Sequence, residues 1–271
     1  MYYIPNASSP AQCARLMGMW RPEFLYTIYE RNLAKQIDRS AVPRHIGIIL
    51  DGNRRWAKQL GIPPVSGHRK GANHVVEVLG WCEDVGIEIV TLWLLSTDNL
   101  KRAQGELEEL IDIIVSLVET LAASGRWRLG IMGDLSLLPR SAAERIAQAV
   151  QSTQGVEGLI VNIAVGYGGR QEITQAVREY LREKADQGCT LAQVADEVTI
   201  DSITSHMYTK GQPDPDLIIR TSGEQRMSGF MIWQAVHTEF YFAETYWPDF
   251  RRTDFLRALR SYSQRERRRG K

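Results

Sequence analysis

The 271-residue chain has only three cysteines, Cys13, Cys82 and Cys189, far apart and without the paired spacing of a metal site. That set excludes a disulfide framework and suits a reducing compartment. No apolar run is long enough to span a bilayer. The opening, MYYIPNASSPAQCARLMGMW, lacks a basic end followed by a compact apolar stretch, so it does not read as a secretory signal. The expected localisation is cytoplasmic, with peripheral membrane association at most. Excess charge is missing too: 33 basic residues face 32 acidic ones, a net charge of +1. A general affinity for nucleic acid has no electrostatic support, and basic clusters must be local sites. Repeats and low-complexity segments are absent. So are a G-x-x-x-x-G-K-[ST] phosphate loop, a G-x-S-x-G elbow, an H-E-x-x-H pair and an aspartate-rich DDxxD cluster. GYGGRQ (166–171) places Gln171 where a dinucleotide fingerprint needs its third glycine.

What is present is ordinary globular material, 44% hydrophobic and 24% charged. Residues 1–40 read as an extension carrying one helix from Pro22, with Leu25, Ile28, Tyr29 and Leu33 on one face. Residues 41–271 read as a single domain. Apolar stretches at 46–50, 87–95, 127–132, 159–165, 217–220 and 240–242 suggest strands. Helical spacing recurs at 69–85, 104–124, 141–151, from Arg170 onward and at 253–269. Alternation of this kind predicts an α/β fold, a mostly parallel central sheet flanked by helices. Sites in such folds lie outside the carboxyl ends of strands, where the polar clusters of this sequence fall.

DGNRR (51–55) joins a carboxylate, a glycine, an amide and two guanidiniums. A hard cation is often held by one or two carboxylates plus substrate phosphates, and arginine forks match phosphate oxygens. Taken alone, the stretch fits a capped turn equally well. SGHRKGA (66–72) reads as the entry to a helix, with His68 and Arg69 near its positive end; a plain glycine-rich entry explains it too. LLSTDNLKR (94–102) ends a strand in Ser96, Thr97, Asp98 and Asn99, then Arg102. These groups suit substrate orientation or proton relay, or a helix cap. PDPDLIIRTSGEQRMSGF (213–230) offers Arg220, Arg226, Ser222 and Ser228 around Gly223 and Gly229 as a second phosphate cradle, although two arginines on an exposed loop would be unremarkable alone. Glu239 is a candidate second oxygen ligand or simply a surface residue.

Together, HIGIILDGNRRWA, SGHRKGA, LLSTDNLKR, NIAVGYGGR and DLIIRTSGEQRMSGFMIWQAVHTEFYF resemble, in order and spacing, the cis-prenyltransferases, from about His45 to Gly270. That family includes undecaprenyl diphosphate synthase and actinobacterial (2Z,6E)-farnesyl diphosphate synthases. The resemblance implies a homodimer with an apolar substrate tunnel. An allylic diphosphate would bind at Gly52, Asn53, Arg54, Arg55 and Trp56, with His68 on the phosphate side. Asp51 would handle Mg²⁺, with Glu239 as the second acidic position. Ser96 and Asn99 would position substrate or assist proton loss, beside Thr97, Asp98 and Arg102. Isopentenyl diphosphate would meet Arg220, Arg226, Met227 and Ser228. Arg268-Arg269-Gly270 resembles a terminal motif that reaches a partner's site.

Pro64, Leu100 and Gln225 depart from the residues common among relatives, which puts substrate preference in question. Side chains two apart on a strand share a face, so Leu94 is expected below Ser96, roughly 6.6 Å deeper, as a chain-length floor. A short Z-configured product such as (2Z,6E)-farnesyl diphosphate from geranyl diphosphate is the expectation. The alternatives are a C50–C55 polyprenyl synthase, a non-catalytic partner subunit, and a cyclase or irregular coupling enzyme on the same scaffold.

Overall fold

The computed structural model describes residues 22–38 and 41–264. Cys13, the side chains of Leu25 and Ile28, and Arg268-Arg269-Gly270 lie outside the described part. Six strands form one sheet: β1 (His45–Ile49), β2 (Ile89–Ser96), β3 (Arg128–Met132), β4 (Ile160–Tyr167), β5 (Leu217–Arg220) and β6 (Glu239–Phe242). Their order is β3-β4-β2-β1-β5-β6, and every pairing is parallel. The chain leaves β1 toward β2 on one side and returns to β5 on the other, so a crevice opens at the carboxyl end of β1.

The two faces of the sheet are unequal. One carries the main core: Ile46, Ile48, Leu92 and Val161 pack under Val75, Leu79, Ile114, Val118, Ile146 and Leu259. Those side chains come from α3 (Pro64–Val85), α4 (Gln104–Ala123), α5 (Arg140–Gln151) and α9 (Arg252–Ser263). The other face is thinner, with Ile49, Ala164, Tyr167 and Ile218 under Phe230, Met231 and Ala235. Gly47 makes room there: a Cβ on it would lie 2.8 Å from the Phe230 ring. Beyond lie α6 (Gly169–Asp186), α7 (Leu191–Glu197) and α8 (Ile200–Thr204), sharing a small cluster around Tyr180 and Met207. The helix at the start, α1 (Pro22–Lys35), docks on α9: Leu33 is buried, and Arg257 donates to the Tyr29 hydroxyl at 3.3 Å.

Two expectations need correcting. SGHRKGA does not precede a helix but lies inside α3, which starts at Pro64, where proline's fixed φ suits a first helical turn. Its glycines serve packing: a Cβ on Gly67 would sit 2.2 Å from the Asn53 carbonyl oxygen, and one on Gly71 2.3 Å from Asn53 Oδ1. The short helix α2 (Asn53–Gln59) therefore presses directly against α3. Second, Leu94 does not follow strict alternation. Trp93 pairs with Ala164 and Leu95 with Val165, so Leu94 is the extra residue of a bulge. β4 answers with its own extra residue, Gly166, at φ +60°. Bulges re-aim side chains beside sites, which period-two counting cannot anticipate.

Gly67→Ala should cost about 1–3 kcal/mol through overpacking, lowering Tm by roughly 2–10 °C for a chain of this size. Gly80 of the same helix meets nothing closer than 4.0 Å. Gly80→Ala should instead gain about 0.5–1 kcal/mol. Thermal denaturation of both variants checks this; matching shifts would argue against the α2–α3 contact.

Candidate active site

The end of β1 is a forced turn. Asp51 N donates back to the Ile49 carbonyl at 2.9 Å, and Gly52 takes φ +106° before α2 begins. A side chain at Gly52 would strike Tyr246, 2.7 Å away. The Asp51 carbonyl is pinned from two sides, by Thr221 Oγ1 at 2.7 Å and by Trp247 N at 3.0 Å. Its carboxylate is thus presented at the sheet edge by backbone bonds.

Arg220 ends β5 beside it and is buried, at 4% exposure. Its Nη2 donates to Asp51 Oδ2 at 2.8 Å, and Nη1 donates to Ser228 Oγ at 2.7 Å and to the Arg226 carbonyl. Its Nε has no partner. Arg55 donates to Ser222 Oγ at 2.6 Å and Glu224 Oε1 at 3.0 Å, pairs with Asp51 Oδ1 at 3.2 Å, and lies over the Tyr246 ring. Burial pushes the Asp51 pKa up, but the hydrogen bond and charge of Arg220, helped by Arg55, outweigh it and hold the carboxyl below its usual range. Asp51 is ionised at neutral pH.

Across the opening, Glu106 accepts from Arg102 Nη1 at 3.2 Å and forms an ion pair with Arg54 Nε at 3.3 Å. His68 Nε2 lies 3.5 Å from Arg102. Burial, and then the Arg102 charge, press the His68 pKa down to about 4, so its imidazole is neutral.

These groups wall a cavity of about 860 Å³, within the range of small-molecule sites. Its polar lining comprises Asp51, Gly52, Asn53, Arg54, Arg55, Lys58, His68, Ser96, Asp98, Asn99, Arg102, Arg220 and Ser228. The rest is largely apolar, with Ile49, Leu50, Ile62, Trp93, Leu94 and Leu110. Five cationic side chains oppose two carboxylates in this lining, although the whole chain is nearly neutral. The cavity is built for an amphiphile with an anionic head.

Not every predicted residue is brought here. Trp56, Arg226 and Met227 do not line the cavity, and the exposed Arg226 guanidinium is paired with Glu224. Thr97 faces a second, smaller hollow of about 480 Å³ beside Gly168. Ser96 and Asn99 do line the cavity, but they also form a capping box on the turn Thr97–Lys101, as the simpler reading of that stretch allowed. Asp98 lies at the rim and pairs with Lys101 at 2.8 Å. Glu239 is not beside Asp51: it opens β6 level with Leu217, whereas Arg220 closes β5, so the register puts it at the opposite edge of the sheet. Its joining Asp51 as a ligand within one chain is therefore corrected. Among the described residues no cluster of three His, Cys, Asp or Glu side chains forms a metal cage.

Sequence reading passed over Lys58, Glu106, Glu224 and Tyr246. Lys58 stands four residues after Arg54 and Glu106 four after Arg102, so helical spacing was a usable signal for both. Glu224 and Tyr246 meet Arg55 only through the fold.

A parallel α/β sheet with guanidiniums around a carboxylate at the end of β1, opening into a cavity of mixed polar and apolar lining, suits an enzyme acting on an anionic ligand with an apolar part. A family model described as "Putative undecaprenyl diphosphate synthase" matches residues 49–270. A (2Z,6E)-farnesyl diphosphate synthase of Thermobifida fusca is 56% identical over 94% of this chain and 100% of its own length. Isoprenyl transferase 1 of Streptomyces avermitilis is 52% identical over 91% of this chain and 96% of its own. Among solved structures, lavandulyl diphosphate synthase from Lavandula x intermedia, in complex with dimethylallyl diphosphate, superposes with a TM-score of 0.78 at 35% identity, over 84% of this chain and 98% of that one. The chain belongs to the undecaprenyl diphosphate synthase family, transferases of the cis-prenyltransferase type.

His45 is fully buried at the other end of β1, its ring bridging the Pro213 carbonyl and Thr91 Oγ1, and burial lowers its pKa to about 4 as well. Unfolded, both His45 and His68 take up a proton near pH 6.5. Between those values the unfolded chain binds more protons, so stability present above pH 6.5 is lost as pH falls toward 4. For His45 the loss is on the order of 3 kcal/mol. Denaturation midpoints across this window, with imidazole NMR titration, check it; either ring titrating near 6.5 in the folded protein contradicts the assignment.

Proposed function

We propose that the enzyme condenses isopentenyl diphosphate with a short allylic diphosphate, geranyl diphosphate in the first instance, giving a Z-configured product such as (2Z,6E)-farnesyl diphosphate. The observation that carries this reading is the amphipathic lining of the cavity, which combines five cationic side chains and Asp51 with Trp93, Leu94 and Leu110. The allylic diphosphate sits with its head toward Arg54, Arg55 and His68. Isopentenyl diphosphate takes the side of Arg220 and Ser228, where Nε of Arg220 offers an unpartnered N–H.

The allylic carbon–oxygen bond breaks and diphosphate leaves with the electron pair. The isopentenyl double bond then attacks that carbon, and loss of a proton from C2 of the isopentenyl unit creates the new Z double bond. Stabilisation of the leaving diphosphate by fixed guanidiniums is the largest contribution of the protein. Ser96 and Asn99, rigid in their capping box, orient the isopentenyl unit. The ionised Asp51 suits a hard cation that takes its remaining oxygens from substrate phosphates. When bound, Mg²⁺ offsets the charge on the departing phosphate oxygens. Leu94 limits the apolar part of the cavity, and the relative named a (2Z,6E)-farnesyl diphosphate synthase supports the short product over a C50–C55 one.

Self-association into a homodimer belongs to the same reading. Val177 and Leu181, one turn apart on α6, are exposed, as is Ile200 on the adjoining α8. Sedimentation at assay concentrations should give twice the chain mass, and a monomer that remains fully active counts against it.

Product analysis with labelled isopentenyl diphosphate, geranyl diphosphate and Mg²⁺ tests the reaction. A single Z-containing C15 product is expected. Asp51→Ala should lower turnover by at least about a thousandfold in a protein that remains folded, and Leu94→Ala should lengthen the product. Near-normal turnover without Asp51 would sink the diphosphate assignment, and an unchanged C15 product from Leu94→Ala would remove the chain-length role.

A further inference from the structure

Among the described residues, three that are not glycine adopt a left-handed backbone: Ser222 (φ 79°), Ser228 (φ 51°) and Met231 (φ 48°). All three fall in one stretch of the connection between β5 and β6. Such conformations are costly for L side chains and persist only where the surroundings hold them. Two are held from the active-site side. Ser222 N donates to the Thr245 carbonyl at 2.8 Å, and its Oγ accepts from Arg55 at 2.6 Å. Ser228 Oγ accepts from Arg220 at 2.7 Å.

Met231 is held from elsewhere. Fully buried, it donates its backbone N–H to the Tyr167 hydroxyl at 3.1 Å. Tyr167 closes β4, which β2 and β1 separate from β5, so this bond ties the loop back across two strands on the thin face of the sheet. Phe230 lies along the same path, stacked on Trp93 and edge-on to Tyr167. The Tyr167 hydroxyl in turn donates to Glu172 Oε2 at 2.6 Å. Glu172 is 2% exposed, and its Oε1 accepts from Tyr208 N and Gln234 Nε2, both at 3.1 Å. A second tie runs alongside, from Gly169 N to the Gly229 carbonyl at 2.9 Å. A Cβ on Gly169 would sit 2.6 Å from that oxygen.

We propose that Tyr167 and Glu172 are positioning residues for a diphosphate-binding loop: by fixing the turn at Met231 they hold Ser228 and the Arg226 carbonyl around Arg220. Tyr167 lines neither cavity and touches no substrate position, so its action passes through the loop. The inference deepens the prenyl-transfer reading and rests on it for the identity of the ligand.

Tyr167→Phe removes one oxygen and leaves the ring packing intact. The KM for isopentenyl diphosphate should rise about tenfold with kcat within about twofold, the pattern of lost binding rather than lost chemistry. Thr209→Val is the control. Thr209 Oγ1 accepts from Gln234 Nε2 at 3.0 Å, at the far end of the same buried network and away from Met231. It should lower Tm without moving KM. Should Tyr167→Phe be too unstable to assay, Glu172→Gln should repeat the KM shift. A normal KM in the folded Tyr167→Phe or Glu172→Gln protein overturns the proposal, and so does an equal KM shift in the Thr209 control.

Calorimetric titration with inorganic pyrophosphate and Mg²⁺ reads the same effect without chemistry. Weaker binding in Tyr167→Phe but not in Thr209→Val supports positioning; equal binding in both refutes it. A wild-type protein that shows this binding pattern yet forms no prenyl product would sink the prenyl-transfer reading and leave the positioning role standing.

Discussion

The contact between Asp51 and Arg220 is the constraint around which the rest of the site is arranged. A guanidinium at 4% exposure is costly to strip of water, several kcal/mol after relaxation, and is tolerated only when its N–H groups find strong acceptors. Asp51 supplies one, Ser228 Oγ and the Arg226 carbonyl supply others, and the pair holds Asp51 ionised. The pair exists because β1 and β5 are neighbours in parallel register, Ile49 opposite Arg220. Removing Asp51 would leave the buried Arg220 charge without its carboxylate, whereas Asp51 is partly exposed and keeps Arg55 at 3.2 Å, so the pair is above all a condition for burying Arg220.

From that contact, two kinds of precision spread outward. Toward α2 and α3 it is steric: Gly52, Gly67 and Gly71 have no space for a side chain, so the segment bearing Arg54 and Arg55 is clamped between Tyr246 and α3. Toward β6 it is backbone strain held by hydrogen bonds, concentrated at Ser222, Ser228 and Met231. Strain of this sort gathers where a surface must be preorganised for a ligand. Arginines in and beside the site are already engaged: Arg54 and Arg102 share Glu106, while Arg55 shares Glu224 with Arg226, which lies outside the cavity. Internal carboxylates thus keep like charges together before any phosphate arrives.

The unequal faces of the sheet give the cavity its mixed character. Leu50, Leu94 and Leu110, packed on or within the thick core, supply apolar lining, while Ile49 and Trp93 reach the cavity from the thin face. The bulge at Leu94 and its answer at Gly166 lie where the sheet edge meets this cavity. That irregularity leaves Leu94 in the cavity lining, as bulges beside sites do when they re-aim a side chain.

Much of this was legible in the residues alone, for physical reasons. Near-continuous apolar strands alternating with amphipathic helices admit few arrangements besides a covered parallel sheet, and its carboxyl edge had to receive Asp51, Ser96 and Arg220. The spacing of DGNRR, STDNLKR and the stretch around Arg220 carried the chemistry, because carboxylate, amide and guanidinium groups keep their character in any fold. Tertiary structure alone decided distances across the chain. It put Glu239 at the far edge of the sheet, turned Thr97 into a second hollow, sent Arg226 outward to Glu224, and made the glycines of SGHRKGA packing contacts inside α3. Local periodicity records which face a residue occupies while the strand stays regular. It carries no information about register between distant strands, about a bulge that shifts the count by one, or about which partner a charged side chain meets once the sheet has closed.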